Sequence, residues 1–234
     1  MNVSVSQVEG GRHTQVEGVF ALWKPVGISS QRAVQKVKYW ARAQTGEKKI
    51  RVGHGGTLDP LAEGVLIIAV GRTYTRQIEQ HVAAEKEYIA QITLGETSAT
   101  DDAEGEKTLW PHEVVIPDEA AVIQAVGEFV GDIDQVPPAY SAIKLQGQEA
   151  YKRVRRGEEV KMQSRTVHIE KIEVLSYSYP FVSIRVICGK GTYIRSLARD
   201  IGTALNTGAY MSALTRTRVG AYTQEQCRKI VDFE

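Results

Sequence analysis

Between Arg51 and Thr73 the chain reads RVGHGGTLDPLAEGVLIIAVGRT, and this stretch holds the residues best suited to chemistry. Gly53, Gly55 and Gly56 surround His54 and lead within a few residues to the step Asp59-Pro60. Glycines grouped in this way let a backbone take positive φ or approach a ligand closely. A carboxylate on such a loop, backed by the apolar run Val65 to Val70, would be a catalytic group on a rigid support. The step also has a plainer reading. Asp at an N-cap followed by Pro at the first helical position is a common helix start, and on spacing alone that is the commoner outcome. His54 has no second ligand at a useful spacing, so no metal site is indicated.

A carboxylate in a dry pocket takes up a proton unless a counter-charge stabilises it. Arg195 is the natural candidate. It falls in the first turn of a helix that Thr192 would cap, where the helix dipole disfavours a cation and an anionic partner would offset the cost. An arginine reaching solvent is the simpler alternative. Gly189-Lys190-Gly191, just before that helix, resembles a phosphate nest but lacks the full nucleotide-loop pattern. Tyr88 shares a strand face with Ala90, Ile92 and Leu94, and reads by pattern as a core tyrosine with a satisfied hydroxyl.

These residues need elements to hold them. Gly18 to Trp23 reads as a strand. Ser29 or Ser30 then caps a helix whose apolar positions are Ala33, Val34, Val37 and Ala41, and whose other face carries Arg32, Lys36, Lys38 and Arg42. With Lys48, Lys49 and Arg51, that helix delivers cations to the Asp59 loop. After the Val65–Val70 strand, Thr73 to Ala84 reads as a helix. Lys86 to Leu94 alternates as a strand with one better-buried face. Ser98 to Lys107 reads as an acidic surface loop, Pro117-Asp118-Glu119 starts a helix ending near Gly127, and Asp132 to Ala139 is a non-helical loop. Gln148 to Arg156 reads as a short basic helix. Arg165 to Tyr179 and Phe181 to Cys188 are strands, Tyr193 to about Leu205 a helix, and Met211 to Tyr222 a closing strand. Helices and strands mix without a regular βαβ beat, which predicts an α+β fold with a mostly antiparallel sheet.

At 234 residues the chain can bury a substantial core, and its 42% hydrophobic and 24% charged content is that of a soluble globular protein. The start MNVSVSQVEG shows no secretory signal, no run approaches membrane-spanning length, and Cys188 and Cys227 are too few for a disulfide framework. We therefore expect a cytoplasmic protein without membrane contact. The net charge of +1 hides an asymmetry, because residues 85–135 hold thirteen acidic and two basic side chains. The balance elsewhere is strongly positive, which suits a nucleic-acid partner. The densest basic run is Lys152-Arg153-Val154-Arg155-Arg156. It fits RNA contact and a solvated helix face equally well.

The block Gly53-His54-Gly55-Gly56-Thr57-Leu58-Asp59-Pro60-Leu61-Ala62-Glu63-Gly64-Val65-Leu66 resembles the signature of the TruB family of pseudouridine synthases. Three further blocks occur in that family's order: Leu22-Trp23-Lys24-Pro25-Val26-Gly27-Ile28-Ser29-Ser30, the strand with Lys86-Glu87-Tyr88, and Gly189-Lys190-Gly191-Thr192-Tyr193-Ile194-Arg195. The resemblance runs from about Gly18 to Tyr222. It implies the pseudouridine synthase fold, a mixed, mostly antiparallel sheet cleft with flanking helices, preceded by a flexible tail over 1–17. An insertion at about 137–160 would grip RNA like a thumb. The implied activity is isomerisation of uridine to pseudouridine in the T-loop of tRNA, at position 55 in tRNA numbering. Asp59 would be the catalytic residue and Arg195 its partner. Tyr88 would stack on uracil, with Tyr193 and Leu214 lining the pocket. His54 would meet the RNA where the base leaves the stack, and Lys24 would buttress the pocket. The reaction gains no atoms and changes no redox state, so no cofactor is required, and no obligatory protein partner is implied.

Two departures stand out. Gly55 replaces a threonine found in many bacterial members, which should loosen the loop. The chain also ends at Glu234, where typical members continue into a C-terminal module of the PUA type, so no such domain is expected here. Rival readings are an RNA-guided synthase of the dyskerin kind and a non-catalytic RNA-binding or chaperone protein.

Overall fold

The computed structural model describes residues 16–141, 143–145 and 147–233. Of the expected tail, all but Val16 and Glu17 lies outside them. In chain order the elements are β1 (Gly18–Lys24), α1 (Ser30–Thr45), β2 (Val52–His54), β3 (Glu63–Val70), α2 (Arg72–Gln77), α3 (Glu79–Ala83), β4 (Lys86–Leu94), β5 (Glu96–Ser98) and β6 (Lys107–Leu109). There follow α4 (Glu119–Gly127), β7 (Gly131–Gln135), β8 (Lys144–Leu145), β9 (Gln148–Glu149), α5 (Ala150–Val154), β10 (Arg165–Ser178), β11 (Phe181–Cys188), α6 (Ile194–Ala204), β12 (Ala209–Val219), β13 (Tyr222–Thr223) and β14 (Arg228–Lys229).

One mixed sheet dominates, in the order β14-β1-β3-β12-β4-β11-β10-β7, with β2 paired to β3 and β13 to β12. Its neighbours are antiparallel except β14–β1 and β3–β12. The α+β expectation therefore holds. β3 explains the fully apolar run: its alternate side chains serve opposite faces. Leu66, Ile68 and Val70 enter the main core, while Val65 and Ile67 pack with Ala21 and Val219 on the other face. α1 begins at the Ser29 cap and buries Ala33, Val34, Val37 and Ala41, the stripe its spacing foretold. α6 buries Ile194, Leu197, Ala198 and Ile201, and with them Arg195.

Several local readings are corrected. The helix expected over Thr73–Ala84 is two short ones with a break at Ile78. Gly131–Gln135 is not loop but an edge strand, because the main chain of β10 offers it a ladder before Pro137 intervenes. The basic helix is shorter than expected, since Gln148–Glu149 is drawn into a hairpin with Lys144–Leu145. Tyr193, not Thr192, occupies the N-cap of α6. The strand from Ala209 closes nothing. It lies mid-sheet between β3 and β4.

That central crossing depends on a glycine. Gly64 has φ of +119°, and a Cβ there would lie 2.2 to 2.8 Å from the Arg216 main chain. Gly64→Ala should cost about 2–4 kcal/mol through strain and overpacking. Urea unfolding reads this directly; an unchanged midpoint would mean that the β3–β12 contact yields at no cost.

Candidate active site

Asp59 does not cap a helix. Pro60 and Leu61 form a turn, closed by the Ala62 N–H donating to the Asp59 carbonyl at 3.1 Å. Distant segments fix the loop around it. The Ser30 hydroxyl, from the first turn of α1, accepts from the Leu58 N–H and donates to the Leu58 carbonyl, both at 2.8 Å. The Gly27 N–H donates to the Pro60 carbonyl at 2.8 Å. Nor is the loop loose at Gly55, whose N–H donates to the Ile67 carbonyl at 2.8 Å. These ties leave the Asp59 side chain one-third exposed.

Arg195 reaches it from α6. Its Nε lies 3.1 Å from Asp59, and its Nη1 lies 3.3 Å from Asp102. The remaining donors go to the carbonyls of Thr100 and Tyr140, at 3.2 and 3.0 Å. A guanidinium with a 7% exposed side chain is thereby matched by two carboxylates and two carbonyls. The "acidic surface loop" needs correction here. Asp102 is 2% exposed and points inward. Asp101, at a left-handed φ of 59°, turns instead to Arg199 at 2.9 Å. Burial pushes the Asp59 carboxyl above its ordinary value of 3.8; Arg195 opposes that shift, Asp102 adds to it and Lys24 opposes it.

Lys24 is fully buried and donates to the Pro25 and Ile28 carbonyls at 2.9 and 2.8 Å. Burial lowers its pKa to about 8, against the raising field of Asp59. The ammonium thus shapes its own loop and lends the cleft positive charge. Tyr88 is buried on β4; burial pushes its hydroxyl pKa up, and the nearby Arg216 charge opposes that shift. Leu214 lies one strand over, paired with Ala90. His54 ends β2; burial and then the Arg216 charge lower its pKa, so it is neutral, and its Nδ1 is buried without a partner. Tyr193 is held differently. Gln135 clamps its main chain in both directions, at 2.8 and 3.1 Å, and its ring lies 5.0 Å below the Arg165 guanidinium. Asp59, Arg195, Lys24 and Tyr88 share one electrostatic neighbourhood, whereas Tyr193 meets Arg165 among the described residues.

Sequence reasoning missed Asp102, Gln135 and Arg216. Arg216, only 1% exposed, donates from Nε to the Val65 carbonyl at 2.7 Å, and from Nη2 and Nη1 to those of Gly56 and Thr57 at 3.2 and 3.4 Å. It therefore grips the Asp59 loop on both flanks. A charged residue breaking the apolar alternation of a central strand was the available signal. Lysine cannot span three carbonyls from one planar fork. Arg216→Lys should lower the single-turnover rate roughly 10- to 100-fold with RNA affinity little changed, because a misplacement of about 1 Å costs about 10²-fold. A wild-type rate would show that the loop holds its shape without this fork.

The fold and the family matches are those of an enzyme of the pseudouridine synthase class. Residues 42–194 match the TruB family pseudouridylate synthase N-terminal domain, and residues 195–234 match the tRNA pseudouridylate synthase B C-terminal domain. The tRNA pseudouridine synthase B of Phocaeicola vulgatus is 45% identical over 90% of this chain and 88% of its own. That of Thermobifida fusca is 44% identical over 90% and 72%. Among solved structures, a Cbf5-Nop10-Gar1 complex superposes with a TM-score of 0.69 at 33% identity, covering 93% of this chain and 54% of its counterpart. An H/ACA RNP bound to a substrate RNA containing 2'-deoxyuridine gives 0.64 at 32% identity, with 93% and 52% covered. The chain thus spans about half the length of those solved chains. It belongs to the TruB family of pseudouridylate synthases.

Proposed function

We propose that this protein isomerises uridine to pseudouridine in tRNA, acting on the T-loop at position 55 through Asp59. The observation that carries the reading is the Asp59–Arg195–Asp102 arrangement: an accessible carboxylate on a tied loop, with a buried cation whose charge favours its ionised form. The reaction cleaves the uracil N1–C1′ bond, turns the base and joins C5 to C1′. The C5 proton leaves and N1 gains one, so the atoms balance without a cofactor. Asp59 attacks ribose C1′, attacks uracil C6 or removes a proton at C2′.

The uridine must first leave its stack, at a cost of a few kcal/mol that is least in a loop. Tyr88 stacks on the extruded base, a contact worth about 1–3 kcal/mol. Leu214 and Tyr193 close the pocket and Lys24 buttresses it. His54 stands where the base departs, and the segment at about 137–160 folds over the RNA. A T-arm stem-loop labelled with tritium at uracil C5 tests the proposal, because product formation must expel that hydrogen. Release without any guide RNA is the expected result. Binding without release would point instead to a guide-dependent enzyme or to an RNA-binding protein without turnover.

A further inference from the structure

Three of the four cations in the densest basic run of the sequence are paired within their own segment, while the fourth, Arg155, lies over the Tyr151 ring. Lys152 lies 2.8 Å from Glu149, Arg153 lies 2.7 Å from Glu158, and Arg156 bridges Glu158 and Gln148, each at 2.7 Å. Unpaired positive charge gathers elsewhere. Two adjoining clefts, of about 330 and 230 Å³, share Lys38 on α1. Lys49, Arg51 and Arg76 line the larger, and Arg42 and Tyr39 the smaller. Among the described residues none of these five cations is in an ion pair, although Glu47 and Glu79 stand in the same segments. The Arg42 Nε is buried with no partner. Tyr39, 68% exposed, offers an aromatic face between Lys38 and Arg42.

Three chain segments with no acidic side chain in the lining bring these cations together, and like charges so placed repel until anions neutralise them. The larger cleft is lined by Gly53, the residue next to His54. Arg51 precedes His54 by three residues of near-extended chain, about 10 Å. Ser30, bonded to the Asp59 loop, is about 12 Å along the helix from Lys38 and about 18 Å from Arg42. That interval spans several phosphates of a strand climbing about 3.4 Å per nucleotide.

We propose that this double cleft is a second RNA site, binding phosphodiesters of the substrate strand beyond the extruded nucleotide, with Tyr39 as a platform for a base. The inference rests on the tRNA reading of the active site. It relocates the main electrostatic grip from the 137–160 segment to the groove between α1, β2 and α2.

The test compares the exposed triple variant Lys49→Gln/Arg51→Gln/Arg76→Gln with Lys152→Gln/Arg153→Gln/Arg156→Gln, on T-arm stem-loop RNA and on full-length tRNA. Circular dichroism and thermal melts check folding of both. For the groove variant, affinity at low salt should fall roughly tenfold or more, and the log–log salt slope should become shallower by about 2. The loss should appear in the RNA concentration needed for half-saturation and not in the single-turnover rate at saturation. The 152–156 variant should change the slope by less than about 1. Unchanged groove affinity, the larger slope change in the 152–156 variant, or a loss of rate at saturating RNA would each overturn the proposal. If wild-type protein releases no tritium while groove-dependent binding persists, the catalytic reading fails and the RNA site stands.

Discussion

Asp59→Asn should abolish C5-tritium release, with a loss of about 10⁴-fold or more, while RNA affinity stays within a factor of about three. Asn keeps the shape of the side chain and loses the charge and basicity on which every scheme for the reaction depends. The fold should not suffer. Burial raises the Asp59 pKa above 3.8 in the folded protein, so the folded state binds a proton more tightly than the unfolded chain. Stability from this group is therefore fullest at acid pH, falls as pH rises from about 3.8 through the folded value, and is lowest above it. A neutral amide escapes that penalty at pH 7, and Arg195 retains Asp102 and two carbonyls. The variant should thus melt no lower than wild type at pH 7. Turnover and affinity falling together, or a clear loss of stability, would make Asp59 a structural residue.

Removing the cation has the second largest expected effect. Arg195→Met leaves the carboxylates of Asp59 and Asp102 facing each other across a cleft in which Asp102 is almost wholly buried. Breaking a buried charge pair from one side costs about 3–5 kcal/mol. Asp59 loses the larger of the two influences opposing its burial, so its pKa rises further and its ionised form is less favoured. We expect the single-turnover rate to fall about 10³-fold or more, and the urea midpoint to drop sharply at pH 7. Part of that stability should return on acidification, since protonating a carboxylate removes the repulsion. Arg195→Met/Asp102→Asn should recover stability at pH 7 but not turnover. If the double variant regains both, the ion pair serves folding alone; if acid returns no stability, charge repulsion is not the cause of the loss.

The linear chain determined much about this protein by itself. Motif blocks of adjacent residues placed Asp59 on a glycine-rich loop before a buried strand, and Arg195 in the first turn of a helix. Alternation along Lys86–Leu94 and helical spacing from Ala33 to Ala41 fixed which faces are buried. These are short-range properties, because side-chain direction repeats every two or 3.6 residues and can be counted without knowing the neighbours. Tertiary structure alone decided who neutralises whom. Asp102 lies 43 residues beyond Asp59 in a segment whose composition reads as surface. Arg216 comes from 151 residues beyond Val65, along a strand whose place in mid-sheet no local pattern encodes. Three of the four cations in the basic run at 152–156 likewise pair with near neighbours. Five cations in no ion pair among the described residues line the clefts where α1, β2 and α2 converge. A buried charge or an open carbonyl must find a partner wherever the fold supplies one, and that partner is set by contact in space, which sequence distance does not measure.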